Sequence, residues 1–177
     1  MARQSSLWQI EIGLLALAVG IVLYVFDRPS AQIYFVTEWL SQYRGSPSLF
    51  GAIGYHLPTF LHVFAFCLIT SGILATGRRG VLVVCLSWLL VDGGFEIGQH
   101  PLVTQIILPW IPDWFARVPV LDNTADYFIQ GRFDPLDLSS IALGAFSAYL
   151  VIGLLNRQDD QADKQARQFV LPDLQSE

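Results

Sequence analysis

Apolar residues run through this chain in long blocks, and polar positions fall between the blocks or at a few points inside them. A membrane-crossing helix needs about 20 mainly apolar residues, each rising about 1.5 Å through ~30 Å of hydrocarbon. Four stretches meet that requirement: Leu7 to Phe26, interrupted by Glu11; Leu57 to Gly77, free of Asp, Glu, Lys and Arg; Gly80 to Gln99, which holds Asp92 and Glu96; and Leu138 to Leu155, which is uncharged. A fifth apolar piece, Leu102 to Pro112, is shorter and contains Pro109, so it is expected to lie at the interface or re-enter the membrane rather than cross it. Between the first two spans, Val36, Trp39, Leu40 and Tyr43 recur at helical spacing and predict a short interfacial helix. Trp39, Trp110 and Trp114 suit an aromatic belt that anchors the connections. From Asn156 onward the chain is rich in Asp and Gln and reads as a solvated, partly disordered helix. The expected architecture is thus an all-α membrane protein: a four-transmembrane-helix bundle, residues 1–155, with two long outer loops and a tail at 156–177.

Composition narrows the reading further. Of 177 residues, 53% are hydrophobic and 14% charged, where a soluble domain carries roughly 25% charged residues. The net charge of −5 excludes the basic footprint of a nucleic-acid binder. Cys67 and Cys85 both lie inside apolar blocks, which is not a disulfide framework, and no CxxC motif is present. The first apolar segment exits through Phe26-Asp27-Arg28-Pro29 without a small-residue cleavage site, so it is expected to be retained as a helix. Basic residues in short flanks set orientation. Arg3, the Arg78-Arg79 turn, and Arg157, Lys164 and Arg167 fall on one side of a four-span bundle. Both termini are therefore expected in the cytoplasm, with Arg28, Arg44, Arg117 and Arg132 in the outward loops.

Ionisable groups inside spans are costly, about 2.5–3.5 kcal/mol each at the centre of a helix on insertion scales, and so mark function by default; the alternative is that Glu96 and Asp92 pair with Arg132 and His62 to hold the bundle together. Asp92, Glu96 and His100 are spaced i, i+4, i+8 and share a helix face, joined by Gln99. Glu96 lies sixteen residues beyond Gly80, about 24 Å along the helix. His62, four residues after Pro58 on the neighbouring span, is expected at a similar depth and near Glu96. Asp137 opens the fourth span at the same end, with Arg132 and Asp134 just outside. Glu96 with His100 has a spacing compatible with metal ligation, but that pair is common by chance and no metal or cofactor is assigned. No Ser or Cys sits in a recognisable nucleophile elbow. Glu11 is expected to reach headgroups near the inner boundary.

Three segments carry a family likeness: Pro58-Thr59-Phe60-Leu61-His62-Val63-Phe64-Ala65-Phe66; Phe95-Glu96-Ile97-Gly98-Gln99; and Gln130-Gly131-Arg132-Phe133-Asp134-Pro135-Leu136-Asp137, running on to Gly144. Together they resemble the VanZ-like family of small bacterial membrane proteins. His62, Glu96, Gln99, Arg132, Asp137 and Gly144 match its motif positions, whereas Ile141 stands where the family carries Asn, and Pro101 to Gln130 forms an insertion. The resemblance implies a four-span protein of the bacterial cytoplasmic membrane.

The function expected from these residues is a ligand site formed by His62, Asp92, Glu96, Gln99, Arg132 and Asp137. It would take the headgroup of a membrane lipid or lipid-linked cell-envelope precursor. Arg132 would be the phosphate clamp, since guanidinium pairs with phosphate bidentately, and Glu96 would orient Arg132 and His62. The alternative is a structural or accessory subunit that docks a membrane protein partner. Small residues at Gly13, Ala16 and Gly20 on the first span and at Gly144, Ala145 and Ala148 on the fourth are expected either to pack the bundle internally or to dock a partner helix.

Overall fold

The computed structural model describes residues 4–27, 50–75, 77–118 and 121–170. The interfacial helix expected around Val36 to Tyr43, with Trp39, Arg28 and Arg44, lies outside the described residues, as do Arg3 and the last seven positions, 171–177.

Every regular element among the described residues is helical. In chain order they are α1 (Gln4–Asp27), α2 (Gly51–Leu74), α3 (Arg78–Gly98), α4 (Pro101–Ile107), 3-10 turns at Leu108–Trp110 and Asp113–Arg117, α5 (Thr124–Gln130) and α6 (Pro135–Val170). Four of these, α1, α2, α3 and α6, are long and apolar enough to cross a membrane. The protein is an all-α, multi-pass membrane bundle.

Residue chemistry explains where the helices stop and start. α2 ends on Ala75 in the left-handed conformation at φ 46°, with its amide bonded back into the last turn. Gly77 then begins α3 at once. This tight turn makes α2 and α3 antiparallel neighbours. α4 starts on His100, whose Nδ1 accepts from the Leu102 amide, with Pro101 in the first turn where a missing N–H costs nothing. Asp134 caps α6 in the same way: its Oδ1 accepts from the Leu136 amide at 2.9 Å, and Pro135 follows it. The segment expected to be interfacial or re-entrant is a short helix followed by two 3-10 turns. Pro109 and Pro112 deny it the amide donors of a longer helix.

α2 and α6 form the centre, while α1 and α3 flank them. The core joins Val63, Cys67 and Leu68 of α2, Val81 and Cys85 of α3, and Ile141, Ala145, Ala148 and Ile152 of α6. The Cys67 and Cys85 thiols are unoxidised and meet across the α2–α3 contact. In lipid, apolar burial drives little association, so close packing over small residues must hold helices together. α1 and α2 use this device at two points along their crossing. A Cβ on Gly13 would lie 3.0 Å from the Ala65 carbonyl oxygen, and one on Gly72 would lie 2.7 Å from that of Ser6. Gly144 lets α6 approach the Phe60 carbonyl of α2, where a Cβ would stand 2.6 Å away. The small residues proposed as a partner-docking stripe on these helices therefore face the protein's own interior at Gly13, Gly144, Ala145 and Ala148.

α6 is 36 residues long, roughly 54 Å at the α-helical rise, and so overruns the hydrocarbon. The helix continues without a break through 155 and 156. Its first extra turns bind the start of α1: Asp159 accepts from the Ser5 amide at 2.9 Å, and Asn156 accepts from Gln9 Nε2 at 3.0 Å. The Ser5 amide is one of the N-terminal donors that a helix leaves without an internal partner, and a carboxylate there also meets the positive end of the helix dipole.

Candidate polar site at the loop end of the bundle

The end of the bundle that carries the long connections, here the loop end, gathers most of the ionisable groups. Three polar contacts organise it.

The first joins α2 to α3. His62 Nε2 lies 3.8 Å from Asp92 Oδ1, and the His62 side chain is 47% exposed against 18% for Asp92. Phe66 sits edge-on to the imidazole at 4.3 Å and in turn stacks on Trp88 at 4.7 Å. Trp88 Nε1 donates to Thr70 Oγ1 at 3.1 Å. An aromatic ladder thus supports the pair from below. Asp92 Oδ2 is buried and has no hydrogen-bond partner among the described residues.

The second joins α2 to α6. Asp137 is buried in the first turn of α6, where an acidic side chain also suits the helix dipole. Its Oδ1 lies 2.9 Å from His56 Nδ1 and accepts from Thr59 Oγ1 at 3.2 Å.

The third ties α3 to the segment entering α6. Glu96 is buried, and its Oε1 accepts from the Asp134 amide at 2.7 Å. Around it, Gln99 hydrogen-bonds the Tyr127 hydroxyl and packs against Gly131, where a Cβ would come within 2.6 Å of the Gln99 amide carbon. Burial is the main cause that pushes the Tyr127 phenol up to about 12. The Glu96 and Asp92 charges act in the same sense, and the Gln99 hydrogen bond opposes them. Thr104 closes the assembly. Its hydroxyl is 2.8 Å from the Gly98 carbonyl and 3.4 Å from that of Phe128, joining α3, α4 and α5.

The six residues singled out from the sequence therefore separate into neighbouring groups. Glu96 and Asp137 are buried, as their cost in hydrocarbon requires. His62 is half-exposed and faces Asp92 instead of Glu96. The register explains this. His62 lies fifteen residues before Gly77 and Asp92 fifteen after it, whereas Glu96 lies four residues further on, about 6 Å higher along α3. Gln99 hydrogen-bonds Tyr127. Arg132 is exposed, and among the described residues no ion pair joins it to Glu96; the backbone amide of Asp134 is one group that reaches that carboxylate. His100, aligned with the cluster by spacing, caps α4 and contacts Phe133 edge-on at 5.6 Å. Among the described residues no three His, Cys, Asp or Glu side chains converge as a metal site.

His56, Thr59 and Tyr127 were not apparent from the sequence. His56 had a usable signal, standing one and a half turns before His62 at the mouth of the same span. Tyr127 had none, because only the fold of the long connection brings it to α3.

An all-α membrane bundle with a polar, partly buried cluster at one end is the class that fold and site define. Comparison of the chain with family models, curated proteins and solved structures finds no match.

Proposed function

We propose that the loop end binds the headgroup of a membrane lipid or a lipid-linked cell-envelope precursor, and that the protein is a VanZ-like protein of the bacterial cytoplasmic membrane. The observation that carries the binding reading is Asp92. One carboxylate oxygen faces His62, while the other is buried and meets no donor among the described residues. A buried polar atom without a partner costs about 1–3 kcal/mol, more when charged. An N–H or O–H group of a headgroup would meet that need. The half-exposed His62 beside it gives such a group a lateral approach from the bilayer. Arg132, exposed at the rim and close in sequence to the Asp134–Glu96 contact, suits the phosphate of the same headgroup. Support for the family reading is the set of motif positions His62, Glu96, Gln99, Arg132, Asp137 and Gly144. The basic flanks support cytoplasmic termini and an outward loop end.

Mass spectrometry of lipid retained by purified protein tests the site. The parent is expected to hold a phospholipid or polyprenyl phosphate, and Arg132→Ala and Asp92→Ala are each expected to lose it several-fold. Equal lipid on all three proteins would overturn the proposal. Arg132 is exposed, so its variant separates lost binding from lost folding.

A further inference from the structure

We propose that the connection after α3, residues 101–118, lies flat in the headgroup layer of the membrane that the four helices cross, with one apolar edge inserted among the lipids of the loop-end leaflet. That edge consists of Leu102, Ile106, Trp110 and Trp114, which are 68%, 66%, 82% and 55% exposed. They stand four residues apart through α4 and both 3-10 turns, and exposure at all four positions continues past Pro109 and Pro112.

The opposite edge is fixed to the protein. Thr104 is buried and bonded to the Gly98 and Phe128 carbonyls, and Ile107 packs beside Gly98. This anchorage holds the stripe outward, so it cannot turn into the bundle.

What covers it follows from its position. α3 has 21 residues, about 31 Å of helix, which is the thickness of the hydrocarbon. Gly98 therefore stands at the membrane boundary, and α4 begins three residues later. Phe95 and Ile97, at that end of α3, are exposed apolar side chains that continue the lipid-facing surface toward the stripe. Tryptophan favours this layer because its ring is apolar and its N–H is polar. Asp113 and Arg117 are exposed within the same segment, as interfacial placement allows and a buried re-entrant loop would not. The inference rests on the membrane bundle alone and does not depend on the headgroup site.

Position-specific fluorescence in vesicles tests it. Cys67 and Cys85 are buried, so thiol-reactive nitrobenzoxadiazole will label Trp110→Cys, Trp114→Cys and Asn123→Cys selectively in the folded full-length protein. The proteins are reconstituted in phosphatidylethanolamine–phosphatidylglycerol vesicles, and circular dichroism confirms equal helicity. The probe at 110 and 114 is expected to be quenched by lipid carrying a nitroxide near the headgroup, more than by one deep in the chain, and to be protected from aqueous iodide several-fold relative to 123. Iodide quenching equal to that at 123 would overturn the inference in favour of a solvated loop. Protection from iodide without lipid quenching would overturn it in favour of coverage by protein, such as a second copy. Stronger quenching from the deep nitroxide would show re-entry and overturn it as well.

Discussion

His62 meets Asp92 because both are equally far from the turn that joins their helices, and an antiparallel pair aligns residues by their distance from that turn. Depths taken from opposite ends, His62 from Pro58 at the loop end and Glu96 from Gly80 beside the turn, pointed to Glu96 instead. The four-residue error is one helical turn, enough to exchange one carboxylate for another. At this scale the Glu96–Arg132 pair expected from the sequence is replaced by a bond from the Asp134 amide. Glu96→Gln and Arg132→Gln are accordingly expected to act additively on thermal stability in detergent, with coupling below ~0.5 kcal/mol. Coupling approaching the 3–5 kcal/mol typical of a broken buried ion pair would show that the two do pair. Tyr127 offers a second test. Burial pushes its phenol up to about 12 from the ordinary 10.0. The folded state thus keeps the proton that the unfolded state loses first. The contribution is complete below pH 10 and disappears as pH rises through about 12. Alkaline difference spectra of the parent against Tyr127→Phe should show this tyrosinate forming last, and a tyrosine titrating at the ordinary value would contradict the buried geometry.

At the scale of elements, the bundle depends on close helix approach. Gly144 on α6 faces the Phe60 carbonyl, which is backbone and has no rotamer by which to yield. Gly144→Ala is expected to cost about 1–3 kcal/mol, as overpacking does, and to lower the thermal midpoint. Gly153, on the same helix, has nothing within 4 Å of a built Cβ. Gly153→Ala should be neutral or stabilising, because Ala exceeds Gly in helix propensity by up to about 1 kcal/mol. Equal effects at the two positions would mean that propensity, not packing, governs α6. The same helix runs on into the tail, which is helical and largely exposed as expected, and there an amide donor left open at the start of α1, that of Ser5, meets Asp159.

For the whole molecule, an even number of crossings places the described start of α1 and the Arg78-Arg79 turn on one side, with the α3–α6 connection on the other. With the proposed orientation, an impermeant maleimide added to intact cells should label Asn123→Cys and leave Arg79→Cys unlabelled until the membrane is opened. The reverse pattern would invert the bundle and place the polar cluster at the cytoplasmic face. Either result leaves the helix packing unchanged, since orientation is set by flanking charge and packing by side-chain shape.

The sequence alone determined the number of spans and the burial of Glu96. Hydrocarbon demands long apolar helices and makes every polar interruption conspicuous. The antiparallel α2–α3 pair was equally legible, from a turn too short for anything else. Only the tertiary structure decided which polar groups meet. Pairing depends on helix rotation and on a one-turn offset, neither of which alters the apolar pattern. It also brought His56 to Asp137 and Tyr127 to Gln99, and it turned Arg132 outward. Those contacts join residues far apart in the chain, through a proline-broken connection whose path is set by where Thr104 and Gly98 allow it to pack.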